Sequence, residues 1–292
     1  MTEKKLADPM PDWEEKYVNL KISGFYNTPF KRVANVIDNL IDIYTHPRSV
    51  SCVGDIINCI ELIVNTEKLG SEVTVIGCGP KPATVVELAS HGYTVLGVEP
   101  VYEAVLQARE FLGDQGGIVK GTAENMPLED NSQGFVLMEN VLEHVDSVRL
   151  SLEEAYRILK PGGVLFIRTT NRSRFSITGV NWEFATMFYN WFPRIVKESY
   201  VFTQLHYKPE LARYSPRPAV HWFSFPELCN HGRDVGFARF YSPYDLLYLT
   251  SERERNRMSF KFRHWCRRQP WVRAAMVSQL NGDIFMWKRH ES

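Results

Sequence analysis

Five short β-rich runs between Val73 and Ile167 are separated by segments patterned as helices and turns, and that alternation leaves few folds open to the chain. Val73-Thr-Val-Ile76 ends in Gly77-Cys-Gly79. Lys81 then precedes Pro82, a residue preorganised for the first helical position, and Gly92 stands where that helix would stop. A second run, Tyr93 to Val98, closes on Glu99-Pro100. A helix is predicted from about Tyr102 to Leu112, ended by Gly113, and the runs Gly117–Lys120 and Gly134–Met138 follow. Val148, Leu152, Ala155 and Leu159 are spaced 4, 3 and 4 apart, one apolar face of a helix. Pro161-Gly162-Gly163 is predicted to end it before a fifth buried strand, Val164–Ile167. Continuous apolar strands alternating with helices predict a mostly parallel sheet covered on both faces. Residues 72–170 therefore read as an α/β, Rossmann-like, doubly wound core.

The flanks read differently. Residues 1–70 are patterned mostly as helix, with Phe30, Val33, Val36, Ile37 and Leu40 at helical spacing and a second segment from about Val53 to Asn65. They are expected to form an N-terminal helical cap on a main domain of residues 71–292. That domain carries two expected insertions, at about 172–222 and 245–280. Its regular pattern returns with a helix near Phe225–Gly232, a strand around Phe237–Tyr241 and a last strand at Asp283–Trp287. Fourteen aromatic residues between Phe175 and Phe225 make the first insertion too apolar to leave in water. It is expected to pack as a lid, to line an apolar pocket, or to touch a membrane surface.

Composition excludes several functions. Thirty-four Lys+Arg against thirty-four Asp+Glu give a formal charge of 0, which argues against a nucleic-acid partner held by neutralising phosphates over the whole surface. The five cysteines form no C-x-x-C pair, as expected of reduced thiols in a cytoplasmic protein. The first residues lack the apolar centre of a signal peptide, and no run approaches the 18 apolar residues of a membrane span.

In an open parallel sheet a ligand lies beyond the carboxyl ends of the strands, at the first strand-to-helix turn. Gly77 and Gly79 let a ligand approach the backbone there, and Glu99, twenty residues beyond Gly79, can accept hydrogen bonds from two ribose hydroxyls. A dinucleotide site needs a third glycine three residues after the second, and that position is Pro82. A nucleoside without phosphates fits better than a nicotinamide dinucleotide.

VIGCGPKPATVVELASHGYTVLGVEP, GTAENMPLED, MENVLEHV and YRILKPGGVLFIRTTN together resemble the successive motifs of class I S-adenosylmethionine-dependent methyltransferases, over about residues 72–170. The spacing is most similar to the small-molecule group that includes ubiquinone-biosynthesis O-methyltransferases. The resemblance implies S-adenosyl-L-methionine as cofactor. Gly77, Cys78 and Gly79 would line its methionine and ribose part, and Glu99 and Pro100 its ribose. Thr122, Ala123 and Glu124 would edge the adenine, and Glu139 and Asn140 would lie beside the methionine moiety. The chain departs from the family pattern at Val75, usually acidic, at Lys81, usually glycine, and at Thr122, often aspartate.

The acceptor is expected to be a small molecule, apolar or anionic, with a hydroxyl on an aromatic, isoprenoid or lipid-linked compound. Relatives that use a divalent cation carry Glu-x-x-Glu-His, whereas Asn140-Val-Leu-Glu143-His144 lacks one carboxylate, so no metal is expected. The Asn/Asp-Pro-Pro-Tyr/Phe string of nucleobase amine methylation is absent after strand four. A hydroxyl acceptor needs a base that titrates near neutrality, and His144 is the candidate, with His206 and His221 behind it. Residues 251–273 hold eight Lys/Arg against two Glu, interleaved with Phe260, Phe262, Trp265 and Trp271, as in peripheral membrane contact. Two other readings of the chain are a cofactor-binding or partner-binding protein without turnover and, disfavoured by Pro82, a nicotinamide-dependent oxidoreductase.

Overall fold

A computed structural model describes residues 52–64, 69–113, 116–169, 171, 192–193, 195–196, 221–246, 258, 261–262, 265, 268–279 and 282–290. Most of the expected cap, most of both expected insertions, and His206 lie outside these residues. By contacts between Cα atoms the chain divides into two units, residues 1–45 with 175–220, and residues 46–174 with 221–292. The second unit holds the sheet and the helices that cover it.

It contains α1 (Val53–Ile63), β1 (Glu72–Ile76), α2 (Ala83–Ser90), β2 (Thr94–Glu99), α3 (Tyr102–Leu112), β3 (Gly117–Lys120), β4 (Gln133–Glu139) and α4 (Val148–Ile158). Then come β5 (Leu159–Arg168), α5 (Phe225–Val235), β6 (Arg239–Tyr241), α6 (Pro270–Gln279) and β7 (Ile284–Trp287). The seven strands form one sheet in the order β3-β2-β1-β4-β5-β7-β6. The first five are parallel, and β7 is inserted antiparallel between β5 and β6.

The period-two alternation of a strand explains the continuous apolar runs. On one face Val73 and Val75 of β1, Phe135 and Leu137 of β4, Val164 and Phe166 of β5 and Phe285 of β7 pack with α1, α2 and α3. On the other, Ile76, Val136, Met138, Leu165, Ile167, Ile284 and Met286 pack with α4 and α5. Both faces are dry, so neither set can be polar. Thr74 is the exception, and its hydroxyl donates to Gln133 Oε1 at 2.9 Å. Val53, Ile56 and Ile60 of α1, from the segment expected within the cap, pack into the first face.

Local chemistry sets the helix ends. Ser147 caps α4 by accepting from the Leu150 N–H, and Leu152, wholly buried on its inner face, contributes about 1.5–3 kcal/mol by leaving water. Ser224 and Glu227 form a capping box on α5.

Three expectations need correction. Pro82 is the N-cap of α2 rather than its first helical residue, because its ψ of 68° is not helical. Helix α5 does not stop at Gly232. A Cβ there would lie 2.5 Å from the Phe240 ring and 2.8 Å from Met286 Sδ, so Gly232 permits close packing on the sheet, and the helix runs to Gly236 in the left-handed region. Strand β5 begins at Leu159, two residues before Pro161-Gly162-Gly163, since Leu159 pairs with Gln133 ahead of a register shift.

Candidate functional site

The carboxyl ends of β1, β2 and β4 meet at the turn Gly77-Cys78-Gly79, beyond the point where strand order reverses. Gly77 and Gly79 both have left-handed φ, 65° and 67°. The two differ in surroundings. A Cβ at Gly77 would come within 2.5 Å of Val141 Cγ2, whereas one at Gly79 would meet nothing within 4 Å. Gly77 is required by the chain's own packing, and Gly79 borders open space.

Glu99 closes β2 and turns its carboxylate toward that space. Oε2 accepts from the Gly79 N–H at 3.0 Å and Oε1 from the Val101 N–H at 3.2 Å. Burial pushes its pKa above the usual carboxylate range, and those two N–H groups pull it partly back. A carboxylate offers about four acceptor directions, so two remain for ligand hydroxyls. Phosphate-binding turns leave their N–H groups free for an anion, but here Gly79 gives its N–H to a carboxylate. The turn suits a ribose and a cation better than a pyrophosphate. Cys78 sits over Gly97, whose absent Cβ makes room for Sγ, and burial followed by the Glu99 charge pushes the thiol up to about 12. It is a neutral packing group rather than a nucleophile.

Pro100 and Thr122 are exposed and Ala123 is buried. Glu124, expected at the adenine edge, accepts from the N–H groups of Asp146 at 2.8 Å and Ser147 at 3.4 Å. It pins the loop after β3 to the start of α4. The same loop is held by Glu154, which accepts from the Met126 N–H, and by Arg157, which donates to the Met126 and Leu128 carbonyls.

On the other side of β1, Glu139 ends β4. Its Oε2 accepts from the Thr84 hydroxyl at 3.0 Å and its Oε1 from Arg168 Nη1 at 2.8 Å. Arg168 also reaches Asp283, with Nε 3.1 Å from Oδ1 and Nη2 3.4 Å from Oδ2. Burial works against the guanidinium charge, but the Asp283 and Glu139 carboxylates outweigh it and hold the group protonated. Neither Arg168, Asp283 nor Thr84 was identified from the sequence. The sequence signal was a charged residue directly after an apolar strand; the antiparallel pairing of Ile167 with Ile284, which sets the next residues opposite each other, is visible only in the fold. Asn140 follows Glu139 with φ 54°, a left-handed conformation that Asn tolerates, and its N–H donates to the Arg168 carbonyl at 2.8 Å.

His144 lies half-buried in the turn after β4, where its N–H donates to the Val141 carbonyl. Glu143 beside it is buried and accepts from the Thr169 hydroxyl at 2.8 Å. His221 braces this turn from outside, with its N–H on the Glu143 carbonyl and its Nε2 3.0 Å from the Val145 carbonyl. No group of three or more potential metal ligands occurs among the described residues.

A protein-family model described as a methyltransferase domain matches residues 75–167, from β1 through β5. The matched region has a Rossmann-like α/β fold, and the match supports S-adenosylmethionine as the cofactor. The Glu99 carboxylate and the open face of Gly79 fit the ribose of that cofactor. The chain is 30% identical over 114 residues to the mitochondrial ubiquinone biosynthesis O-methyltransferase of Rattus norvegicus, covering 37% of this chain and 33% of that one. It is 36% identical over 90 residues to an uncharacterized methyltransferase of Mycobacterium tuberculosis, covering 31% and 36%. An S-adenosylmethionine-dependent methyltransferase structure from Mesorhizobium loti superposes with TM-score 0.48 at 15% identity, covering 78% and 94%. The chain spans about a third of the length of these two sequence relatives.

Proposed function

We propose that this protein transfers the methyl group of S-adenosylmethionine to a hydroxyl on a small acceptor of aromatic, isoprenoid or lipid-linked character. The observation that carries this reading is the Glu99 carboxylate, fixed by two backbone N–H groups beside the open face of Gly79. S-adenosylmethionine supplies an already activated methyl group on a sulfonium, so the chain's share of the chemistry is alignment and proton removal. Glu99 holds the ribose, and the Glu139–Arg168–Asp283 group braces the neighbouring strand ends. His144 takes the hydroxyl proton. The rat relative's name, an O-methyltransferase, supports oxygen as the accepting atom.

Calorimetry separates this reading from the nicotinamide one. S-adenosylhomocysteine binds and NADH does not, and the reverse result overturns the proposal. A screen of candidate acceptors with methyl-labelled cofactor then identifies the substrate. Once it is known, His144→Ala lowers turnover by about 10²–10⁴-fold, the usual scale of a general base, with S-adenosylhomocysteine affinity unchanged. Turnover within about threefold of the parent would remove His144 from the mechanism. A chain that binds without turnover is the second reading, favoured by Val75 and Lys81. It requires S-adenosylhomocysteine binding with no labelled product from any acceptor.

A further inference from the structure

The stretch before α6 presents large apolar side chains to solvent. Met258, Phe262 and Trp265 are all helical and stand four and three residues apart, the spacing of one helix face. Met258 is 82% exposed, Phe262 63% and Trp265 54%, and the Phe262 and Trp265 rings stack at 6.0 Å between centroids. Trp271, at the start of α6, is 74% exposed. Four large apolar side chains bared within fourteen positions are more than scattered surface hydrophobics, and such clusters mark interaction sites.

The same stretch is rooted in the folded core. Arg273 makes two contacts of 2.6 Å to the Asp245 carboxylate and lies 5.9 Å from the centre of the Phe225 ring, and Val277 is buried against Tyr244. The apolar stripe is therefore attached to the domain by α6. Because Arg273 is taken by Asp245, it leaves the charge available for a partner. Seven Lys/Arg then stand against Glu252 and Glu254, a surplus of 7 − 2 = +5 between Ser251 and Val272. Lys261 and Arg268 are among the exposed ones.

An apolar stripe with interfacial tryptophans and a local excess of cations matches one kind of partner by charge and by shape. We propose that Met258, Lys261, Phe262, Trp265, Arg268 and Trp271 form a docking surface for an anionic lipid bilayer. Phe262, Trp265 and Trp271 enter the headgroup boundary while Lys261 and Arg268 face the lipid phosphates. No helix among the described residues is long and apolar enough to cross a membrane. The inference stands apart from methyl transfer and needs no cofactor or acceptor to be tested.

The test is co-sedimentation of the full chain with vesicles of phosphatidylcholine alone and of phosphatidylcholine mixed with phosphatidylglycerol. Binding is expected only to the mixed vesicles, and it fades as salt shortens the Debye length from about 10 Å at 0.1 M to about 3 Å at 1 M. Lys261→Gln with Arg268→Gln weakens partitioning about thirtyfold, since each basic side chain near an anionic surface is worth ~1 kcal/mol, or about fivefold. Phe262→Ser with Trp265→Ser weakens it as well. All four positions are exposed, so both double variants keep the parent's thermal transition, which is measured alongside. Equal binding to neutral vesicles, no binding at low salt, or full binding by either variant overturns the proposal. Tighter binding of the full chain to an RNA or DNA oligonucleotide than to the mixed vesicles, lost in the same variants, also overturns it and marks the surface as one for nucleic acid.

Discussion

Glu99 and Glu139 end the two strands that flank β1, yet their surroundings make them different instruments. Glu99 is met by two backbone N–H groups and keeps acceptor capacity toward the open side of Gly79. Glu139 is met by a guanidinium and a hydroxyl, and the same guanidinium continues to Asp283. A carboxylate held by neutral donors stays available to a ligand. One held by a shared cation ties strands together. The left half of the site is built to receive, and the right half is built to brace.

Removing the cation should separate the halves most sharply. Asp283 is 2% exposed, and Arg168→Met would leave its charge buried without compensation, costing about 3–5 kcal/mol in urea unfolding. Adding Asp283→Asn should recover much of that loss. If the single variant unfolds like the parent, the right half is no brace.

The receiving half has a smaller signature. Glu99→Ala should weaken S-adenosylhomocysteine binding by about 1–3 kcal/mol while leaving the unfolding midpoint near the parent's. The pH dependence of binding has a definite sign. Hydroxyl donors need the ionised carboxylate, and burial raises the Glu99 pKa above its ordinary 4.5. Affinity is therefore full well above that raised value and falls as pH drops through it, beginning at a higher pH than for an ordinary carboxylate. Calorimetry across this range should show the fall, and Glu99→Gln should abolish it.

The two glycines refine the boundary between receiving and packing. A side chain in the left-handed region costs about 1–2 kcal/mol at either position. Gly77→Ala adds a clash with Val141 and should lower stability beyond that, whereas Gly79→Ala should stop there and lower ligand affinity. The smallest expected effect is at Cys78. A thiol pushed up to about 12 should resist alkylation near pH 8 while exposed Cys52 reacts, as peptide mass spectrometry would show.

These contrasts also mark what the sequence could and could not disclose. Strands buried on both faces announce themselves as apolar runs, so β1, β4 and the Val164–Ile167 part of β5 were legible with little error. Gly77, Gly79 and Glu99 were legible because a turn, a strand end and their twenty-residue spacing are local facts. Leu159 was not, because Pro161-Gly162-Gly163 reads as a break and only the pairing with Gln133 shows that the strand begins earlier. Glu124 could be assigned to a motif, but its bonds to the Asp146 and Ser147 amides depend on two loops meeting. The Arg168–Asp283 contact was beyond reach, since it joins residues 115 positions apart through a strand that inserts out of chain order.

That insertion has a consequence for synthesis. β5 can pair with β4 as soon as both have left the ribosome, but its other edge waits for β7. At about 5–20 residues per second, the interval from Arg168 to Asp283 lasts roughly 6–23 s. Through that time a long apolar strand holds unpaired N–H and C=O groups toward its surroundings, the situation that invites edge-to-edge association between nascent chains. A chaperone that shields this edge would act in that interval, and a slow stretch of translation between β5 and β7 would lengthen the exposure.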